Sequence, residues 1–128
     1  MKTKILLVDD NVDILETLTF ILEDVSYGVI PSKTGGVVFT VPKDQLPDLI
    51  IIDVFLVDEN GIDIVSQLKK TLDRNHIPVI VISSNSQFKD EALNAGADVF
   101  LSKPFETEIF LDTIEKVLRK KIFSKISS

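Results

Sequence analysis

Five short apolar runs divide the chain, and most of them are continuously apolar rather than alternating with polar residues. They cover residues 5–8, 27–30, 49–52, 79–82 and 98–101. Val and Ile dominate the middle runs, which is typical of strands buried on both faces in a parallel sheet under helices. The pattern therefore predicts five parallel strands.

The segments between the runs carry apolar residues at helical spacing, which places them on one face of a helix. The predicted inward-facing residues are Ile14, Leu18, Ile21, Leu22 and Val25, then Val65, Leu68 and Leu72, and finally Phe110, Ile114, Val117 and Leu118. Residues 36–41 are rich in β-branched side chains that favour strands. We predict a helix there because strands and helices alternate elsewhere.

This alternation predicts a three-layer α/β/α protein with a doubly wound parallel sheet. The 128 residues suffice for one domain, placed at 1–122, with a frayed tail at 123–128. The absence of cysteine excludes thiol catalysis and thiolate metal sites, and the net charge of -6 argues against nucleic-acid binding. No apolar run is long enough for a signal peptide or a membrane span, so we expect a cytoplasmic protein without a membrane partner.

Polar residues follow the runs at the edge where parallel strands end, which is where open α/β sheets bind ligands. Asp9 and Asp10 follow the first run, Asp53 the third, Ser83 the fourth and Lys103 the fifth. Carboxylates this close repel one another unless a cation is present. Oxygen ligands favour a hard ion. The sequence therefore predicts a Mg²⁺ site, with Mn²⁺ as the alternative metal.

Such a cluster suits phosphoryl transfer to a carboxylate. We predict that Asp53 is the nucleophile because it ends the central apolar strand, and that Lys103 and Ser83 contact the phosphoryl oxygens. Ser84 and Ser86 are competing hydroxyls nearby. The predicted metal ligands are Asp9, Asp10, Asp53 and the backbone carbonyl of Phe55.

The motifs LLVDD, IIIDVFLVDENG, VIVISS and GADVFLSKPF, in this order, resemble those of the receiver domains (CheY-like) of two-component response regulators. The resemblance covers residues 4–118. It implies a flavodoxin-like (βα)5 fold with strand order 2-1-3-4-5 and a cis peptide bond between Lys103 and Pro104. Asp53 would accept phosphate from a histidine kinase or a histidine phosphotransfer protein. The domain would assist its own phosphorylation and dephosphorylation without being an enzyme.

The resemblance also implies a switch. Ser83 and Phe100 would move together on phosphorylation and remodel the face made by the fourth helix, fifth strand and fifth helix. A downstream protein, or a second copy of the phosphorylated chain, would bind that face. Phe55 and Asn85 hold the two positions that tune the lifetime of the phosphoaspartate in the family.

This chain departs from the family pattern at two positions. Val57 stands where the family usually has proline, and Phe100 stands where tyrosine is common. We therefore expect a more mobile loop after the third strand, while Gly61 still supplies the break before the third helix.

Several alternatives stay open. A haloacid-dehalogenase-like phosphohydrolase also uses a strand-end aspartate with Mg²⁺, but it requires Asp-x-Asp after the first strand. A receiver-shaped interaction module that is never phosphorylated would not need the whole acid set. Flavodoxin-like cofactor binding lacks a phosphate-cradling loop after the first strand. The receiver either stands alone or was excised from a longer regulator or hybrid kinase, and His76 is expected on the surface at the opposite edge.

Overall fold

The computed structural model describes the backbone of residues 2–127 and the side chains of residues 2–121. Five parallel strands form the main sheet. They are β1 (Lys4–Val8), β2 (Gly28–Ser32), β3 (Leu49–Asp53), β4 (Val79–Ser83) and β5 (Val99–Ser102). Their spatial order is β2-β1-β3-β4-β5, which confirms the 2-1-3-4-5 topology implied by the resemblance.

Helices connect the strands. They are α1 (Val12–Asp24), α2 (Val37–Thr40), α3 (Gly61–Leu68), α4 (Lys89–Ala95) and α5 (Thr107–Ser127). Short 3₁₀ turns lie at Lys43–Gln45 and Ser86–Phe88, and a small antiparallel ribbon pairs Phe55–Leu56 with Glu59–Asn60. The side chains from position 122 onward lie outside the described residues, so the tail predicted at 123–128 stays a prediction.

The core has two layers because successive strand residues face opposite sides of the sheet. Leu6 and Ile50 belong to the cluster covered by α2, α3 and α4. Their neighbours Leu7 and Ile51 belong to the cluster covered by α1 and α5. Both strand faces are therefore buried, which explains the continuous apolar runs and confirms the α/β/α layering.

Asparagine side chains start the helices close to the strand ends. The Asn11 side chain accepts the N–H of Ile14 at 3.1 Å at the start of α1, and that of Asn60 accepts the N–H of Ile62 at 2.8 Å at the start of α3. Each cap satisfies a backbone donor that the first helical turn leaves unpaired, a contribution of about 1 kcal/mol. The turns after β1 and β3 are thereby fixed beside the predicted acids.

Some sequence expectations were wrong in detail. The second helix exists but is a single turn, because β-branched residues in that segment disfavour a longer helix. Val25 is 46% exposed, since α1 ends at Asp24 and Ser26 adopts a left-handed conformation with φ 72°. Leu72 is 91% exposed because α3 already ends at Leu68.

The strand β2 forms one edge of the sheet and contains Pro31, which has no N–H. Gly28 donates to the carbonyl of Thr3, and the carbonyl of Ser32 accepts the N–H of Asp9. In a parallel ladder the residues between such positions direct their backbone groups away from the partner strand. Pro31 therefore lies at an outward position, where β1 loses no hydrogen bond.

Across the described part of the chain, no helix is both long enough and apolar enough to span a membrane.

Candidate functional site

Asp9 and Asp10 lie where β1 leads into α1. The Asp9 side chain is only 1% exposed, and Asp10 is half-buried. Backbone groups hold Asp9 on both sides: its Oδ1 accepts the N–H of Asn11 at 2.9 Å, and its own N–H donates to the carbonyl of Ser32 at 3.0 Å. A carboxylate buried this deeply requires a polar partner for Oδ2 as well.

Asp53 is the last residue of the central strand β3. Its Oδ1 accepts the N–H of Phe55 at 2.9 Å. The chain returns directly behind it, because Gly61 begins α3 there and a Cβ on Gly61 would overlap the Asp53 carbonyl oxygen. Only glycine allows this approach. Because Oδ1 accepts the Phe55 N–H, Oδ2 of Asp53 is left for a partner from another strand.

The ammonium of Lys103 is the shared partner of both acids. Its Nζ donates to Oδ2 of Asp9 at 2.9 Å and also contacts Oδ2 of Asp53. The contacts join positions that are 94 and 50 residues apart in the chain. Lys103 follows β5, and its peptide bond to Pro104 is cis, which confirms the geometry implied by the resemblance.

Ser83 ends the neighbouring strand β4 and is fully buried. Its carbonyl accepts the N–H of Lys103 at 2.8 Å, which ties the ends of β4 and β5 together. Its Oγ accepts the N–H of Asn85 at 3.1 Å. The rival hydroxyls differ in position, since Ser84 and Ser86 are exposed.

Burial and charge set the protonation of this cluster. Burial raises the pKa of Asp53, and the negative charge of Asp9 adds to that effect, whereas hydrogen bonds from Lys103 and Phe55 oppose it without cancelling it. Burial alone would lower the pKa of Lys103, but its contacts with Asp53 and Asp9 outweigh burial and raise that pKa. Two buried carboxylates thus share one ammonium, and a negative charge remains uncompensated.

This donor set fits a small divalent cation. Within the described residues, no three histidine or acidic side chains lie close enough to enclose a metal by themselves. Mg²⁺ does not require such an enclosure, because it keeps several water ligands and uses one or two carboxylates. The excess negative charge on Asp9 and Asp53 suits that mode of binding.

Two aromatic rings meet beside Asp53. The rings of Phe55 and Phe88 pack edge to face, with centroids 5.2 Å apart and planes at 83°. Phe55 comes from the β3–α3 loop and remains 52% exposed, whereas Phe88 ends the 3₁₀ turn after β4. The sequence points to Phe55 but not to Phe88, whose signal there is an aromatic residue within a polar segment.

Phe100, Asn85 and His76 were also singled out by the sequence, and they take different positions in the fold. Phe100 is half-buried on β5 and packs against the core layer under α2, α3 and α4. Asn85 caps the 3₁₀ turn by accepting the N–H of Gln87 at 2.9 Å. His76 is exposed in the loop before β4, at the edge opposite Asp53.

Residues 5–115 match the family model of the response regulator receiver domain, and the chain belongs to this family. It is 30% identical to histidine kinase P4 of Formosa agariphila over 94% of this chain and 9% of the kinase. It is 35% identical to the transcriptional regulatory protein KdpE of Mycobacterium tuberculosis over 92% of this chain and 52% of KdpE. The chain thus spans about half of KdpE and a small part of the kinase.

A similar solved structure is a CheY-like receiver domain protein from Methanospirillum hungatei JF-1. The TM-score is 0.87 at 27% identity, over 97% of this chain and 99% of that one. Members of the family are phosphoacceptor domains of two-component signalling rather than ordinary enzymes. They work with histidine kinases and downstream effectors, and they typically bind Mg²⁺ at the acidic pocket.

Proposed function

We propose that this receiver domain accepts a phosphoryl group on Asp53 from the phosphohistidine of a cytoplasmic kinase or a histidine phosphotransfer protein. The observation that supports this most directly is the Lys103 ammonium held between Asp9 and Asp53. Asp53, Asp9 and Lys103 come from three strand ends and meet in these contacts, which supports an in-line phosphoryl transfer with Asp53 as the nucleophile.

In the transfer step an oxygen of Asp53 attacks the phosphorus, and the bond between phosphorus and the imidazole nitrogen breaks. The imidazole leaves with the electron pair of that bond. While the new bond forms, Lys103 binds an oxygen of the phosphoryl group and the Ser83 hydroxyl donates to another, so that the chain assists its own phosphorylation. The same contacts orient the acyl phosphate for hydrolysis.

The metal would be held by Asp9, Asp10, Asp53 and the backbone carbonyl of Phe55. When bound, Mg²⁺ or Mn²⁺ supplies positive charge that neutralises the oxygens of the transferring phosphoryl group. Asp9 and Asp53 are already buried and oriented by backbone N–H groups, so little reorganisation is needed on binding.

Phosphorylation would act as a switch through the Lys103 and Ser83 contacts. A phosphoryl group adds charge and acceptor oxygens beside Ser83, whose carbonyl is bonded to the start of the β5–α5 loop. Phe100 lies on β5 at the same side of the sheet as α4. The α4-β5-α5 face would therefore change shape and bind a downstream protein or a second phosphorylated copy.

Phe55 and Asn85 would control how long the phosphoaspartate survives. The edge-to-face contact with Phe88 holds the Phe55 ring at the start of the loop that follows Asp53. An apolar ring there hinders the approach of water to the acyl phosphate. Asn85 follows closely after Ser83, and its N–H donates to the Ser83 Oγ at 3.1 Å.

The decisive experiment is incubation of the purified chain with acetyl phosphate and Mg²⁺, followed by intact-mass spectrometry. We expect the mass of one added phosphoryl group, and no addition with EDTA or in Asp53→Asn. Asp58→Asn is the matched control, since Asp58 is an exposed acid in the same loop with φ 59°, a conformation that Asn tolerates.

Two results would overturn the proposal. Absence of any addition to the wild-type chain would favour an unphosphorylated interaction module. Steady turnover of a generic phosphate ester would favour a haloacid-dehalogenase-like phosphohydrolase.

A further inference from the structure

A cavity of about 730 Å³ lies at the edge of the sheet opposite Asp53. Pro78 precedes β4 and Asp98 precedes β5, and both line the cavity. The loop after α3 forms one wall, and residues of α5 up to Lys121 form another. The cavity is therefore built from segments that the phosphoryl-transfer chemistry does not use.

The lining is strongly basic in a chain whose net charge is -6. Among the described residues, the cations that line it are Lys69, Lys116, Lys120 and Lys121. Asp98 is the acid in this lining, and its Oδ2 already accepts the N–H of Val79 at 2.8 Å. Lys121 pairs with Asp48 at 3.9 Å. Positive charge is thus concentrated in one concave place.

Lys69 is held in position before any ligand arrives. Its Nζ donates to the carbonyl of Ile77 at 2.7 Å and to that of Asn75 at 3.2 Å. Within residues 2–121, neither Lys69, Lys116 nor Lys120 lies within 4.0 Å of a carboxylate oxygen. Their charges therefore remain available for an anion.

The cavity also has an apolar part. Pro78, Val99 and Val117 contribute to its lining beside the lysines. Small-molecule sites combine such apolar surface with a few polar groups and occupy roughly 300–1,000 Å³. A free inorganic anion would leave the apolar part unused, and an extended peptide would require a groove rather than a pocket of this volume.

We propose that this cavity binds a small phosphorylated molecule with a planar or apolar body, of the class of nucleoside diphosphates. Its phosphates would contact Lys69, Lys116 and Lys120, since ammonium groups bind phosphate as compact charges. Its base would cover the half-buried Val99, since Val117 is itself only 7% exposed. This proposal does not depend on phosphorylation of Asp53, because the site lies at the opposite edge of the sheet.

The test uses ADP as the probe, titrated into the whole chain in magnesium-free buffer with EDTA, so that the acidic pocket cannot recruit it through a metal. Binding is followed by calorimetry and by amide chemical shifts. We expect saturable binding with shifts at Val99 and Thr113, which line the cavity. Pyrophosphate alone should bind more weakly than ADP because it has no body to cover the apolar surface.

The variant Lys116→Glu/Lys120→Glu should weaken ADP binding about tenfold or more. Both residues are exposed on α5, so the fold should tolerate the change. The matched control is Lys33→Glu/Lys89→Glu, which alters the net charge equally at exposed lysines outside the cavity. It should change the affinity by less than about twofold, since distant exposed charges are screened by salt.

Three outcomes would overturn the proposal. The first is the absence of saturable ADP binding to the wild-type chain. The second is equal weakening in both double variants, which would indicate unspecific attraction. The third is equal affinity for pyrophosphate and ADP, which would remove the role of the apolar surface.

Discussion

Lys103 lies at the carboxyl edge of the sheet, where the parallel strands end, and Lys69 lies at the amino edge, where they begin. Both lysines are half-buried, and their pKa values shift in opposite directions. The two carboxylates that Lys103 contacts outweigh burial and raise its pKa. Burial lowers the pKa of Lys69, whose bonded partners are backbone carbonyls and which feels only a weaker attraction from Asp98. The charge of the partner, rather than the extent of burial, thus decides the direction.

Arg74 shows that this difference extends beyond the two lysines. Its guanidinium is buried in the loop before β4 and donates to the carbonyls of Val38 at 3.0 Å and Val41 at 2.6 Å. At the amino edge, Lys69 and Arg74 thus donate to backbone carbonyl groups of loops and of the α2 segment. The guanidinium of Arg74 also lies 3.8 Å from the carboxylate of Asp73. At the carboxyl edge the ammonium of Lys103 instead balances the carboxylates of Asp9 and Asp53.

The largest expected effect is on the carboxyl edge. Lys103→Met would leave the buried carboxylates of Asp9 and Asp53 without their shared cation. We expect a loss of about 3 kcal/mol in the free energy of unfolding, measured with urea in magnesium-free buffer, because the uncompensated charges stay buried. Wild-type stability in this variant would contradict the role assigned to the ammonium.

At the amino edge the expected loss is smaller, because the carbonyls that lose a donor are neutral and the Asp73 carboxylate, 3.8 Å from the Arg74 guanidinium, is 35% exposed. Arg74→Met would leave two buried carbonyls without donors, at a cost of about 2 kcal/mol. Lys43→Met is the control, since Lys43 is 77% exposed and pairs with the neighbouring Asp73 at 3.5 Å. That exposed pair contributes little. Equal losses in the two variants would show that carbonyl bonding by Arg74 is unimportant.

If Asp53 is phosphorylated as proposed, the aromatic contact beside it should have a kinetic consequence. Phe55→Asn should accelerate decay of the phosphorylated chain about tenfold, because a polar side chain admits the attacking water that the ring hinders. Decay is followed by the loss of phosphoryl mass after removal of acetyl phosphate. Val57→Asn, at a 67% exposed position of the same loop, should decay at the wild-type rate. An unchanged rate in Phe55→Asn would refute the shielding role.

The smallest effect concerns Tyr27, the only tyrosine of the chain, just before β2. Burial, aided by the charge of Glu115, raises its pKa above the usual 10.0. Tyrosinate absorbance should therefore appear at higher pH in the folded than in the urea-unfolded chain, and Glu115→Gln should reduce the difference. Because the unfolded chain loses this proton first, the stability linked to Tyr27 falls as pH rises above 10.0. Identical titration curves would contradict this expectation.

The sequence allowed the sheet and the acidic cluster to be predicted for the same reason. Each strand is a local apolar run, and the polar residue that ends it is visible without knowledge of the fold. Parallel topology then gathers Asp9, Asp53 and Lys103 at one edge, as their contacts confirm. Local pattern and sheet geometry together were sufficient.

Other features could not be predicted because they depend on where loops pack. Nothing in the sequence around Lys69 indicates that its ammonium donates to a carbonyl 8 residues away. Likewise, nothing around Arg74 indicates that its guanidinium donates to a carbonyl 36 residues away. Helical spacing also led to the wrong prediction that Leu72 faces the core, because spacing alone does not mark the end of a helix. No motif in the sequence therefore indicates the cavity at the amino edge.

Pro31 restricts how copies of this protein can associate. An intermolecular sheet that grew along β2 would require a backbone donor at the position where the proline ring stands. A strand of another molecule that paired with β2 would lack a hydrogen bond at Pro31, so the growth of fibrils through this edge is disfavoured even at high concentration. Any dimer that forms should therefore join helices and loops and leave the outer side of β2 bare.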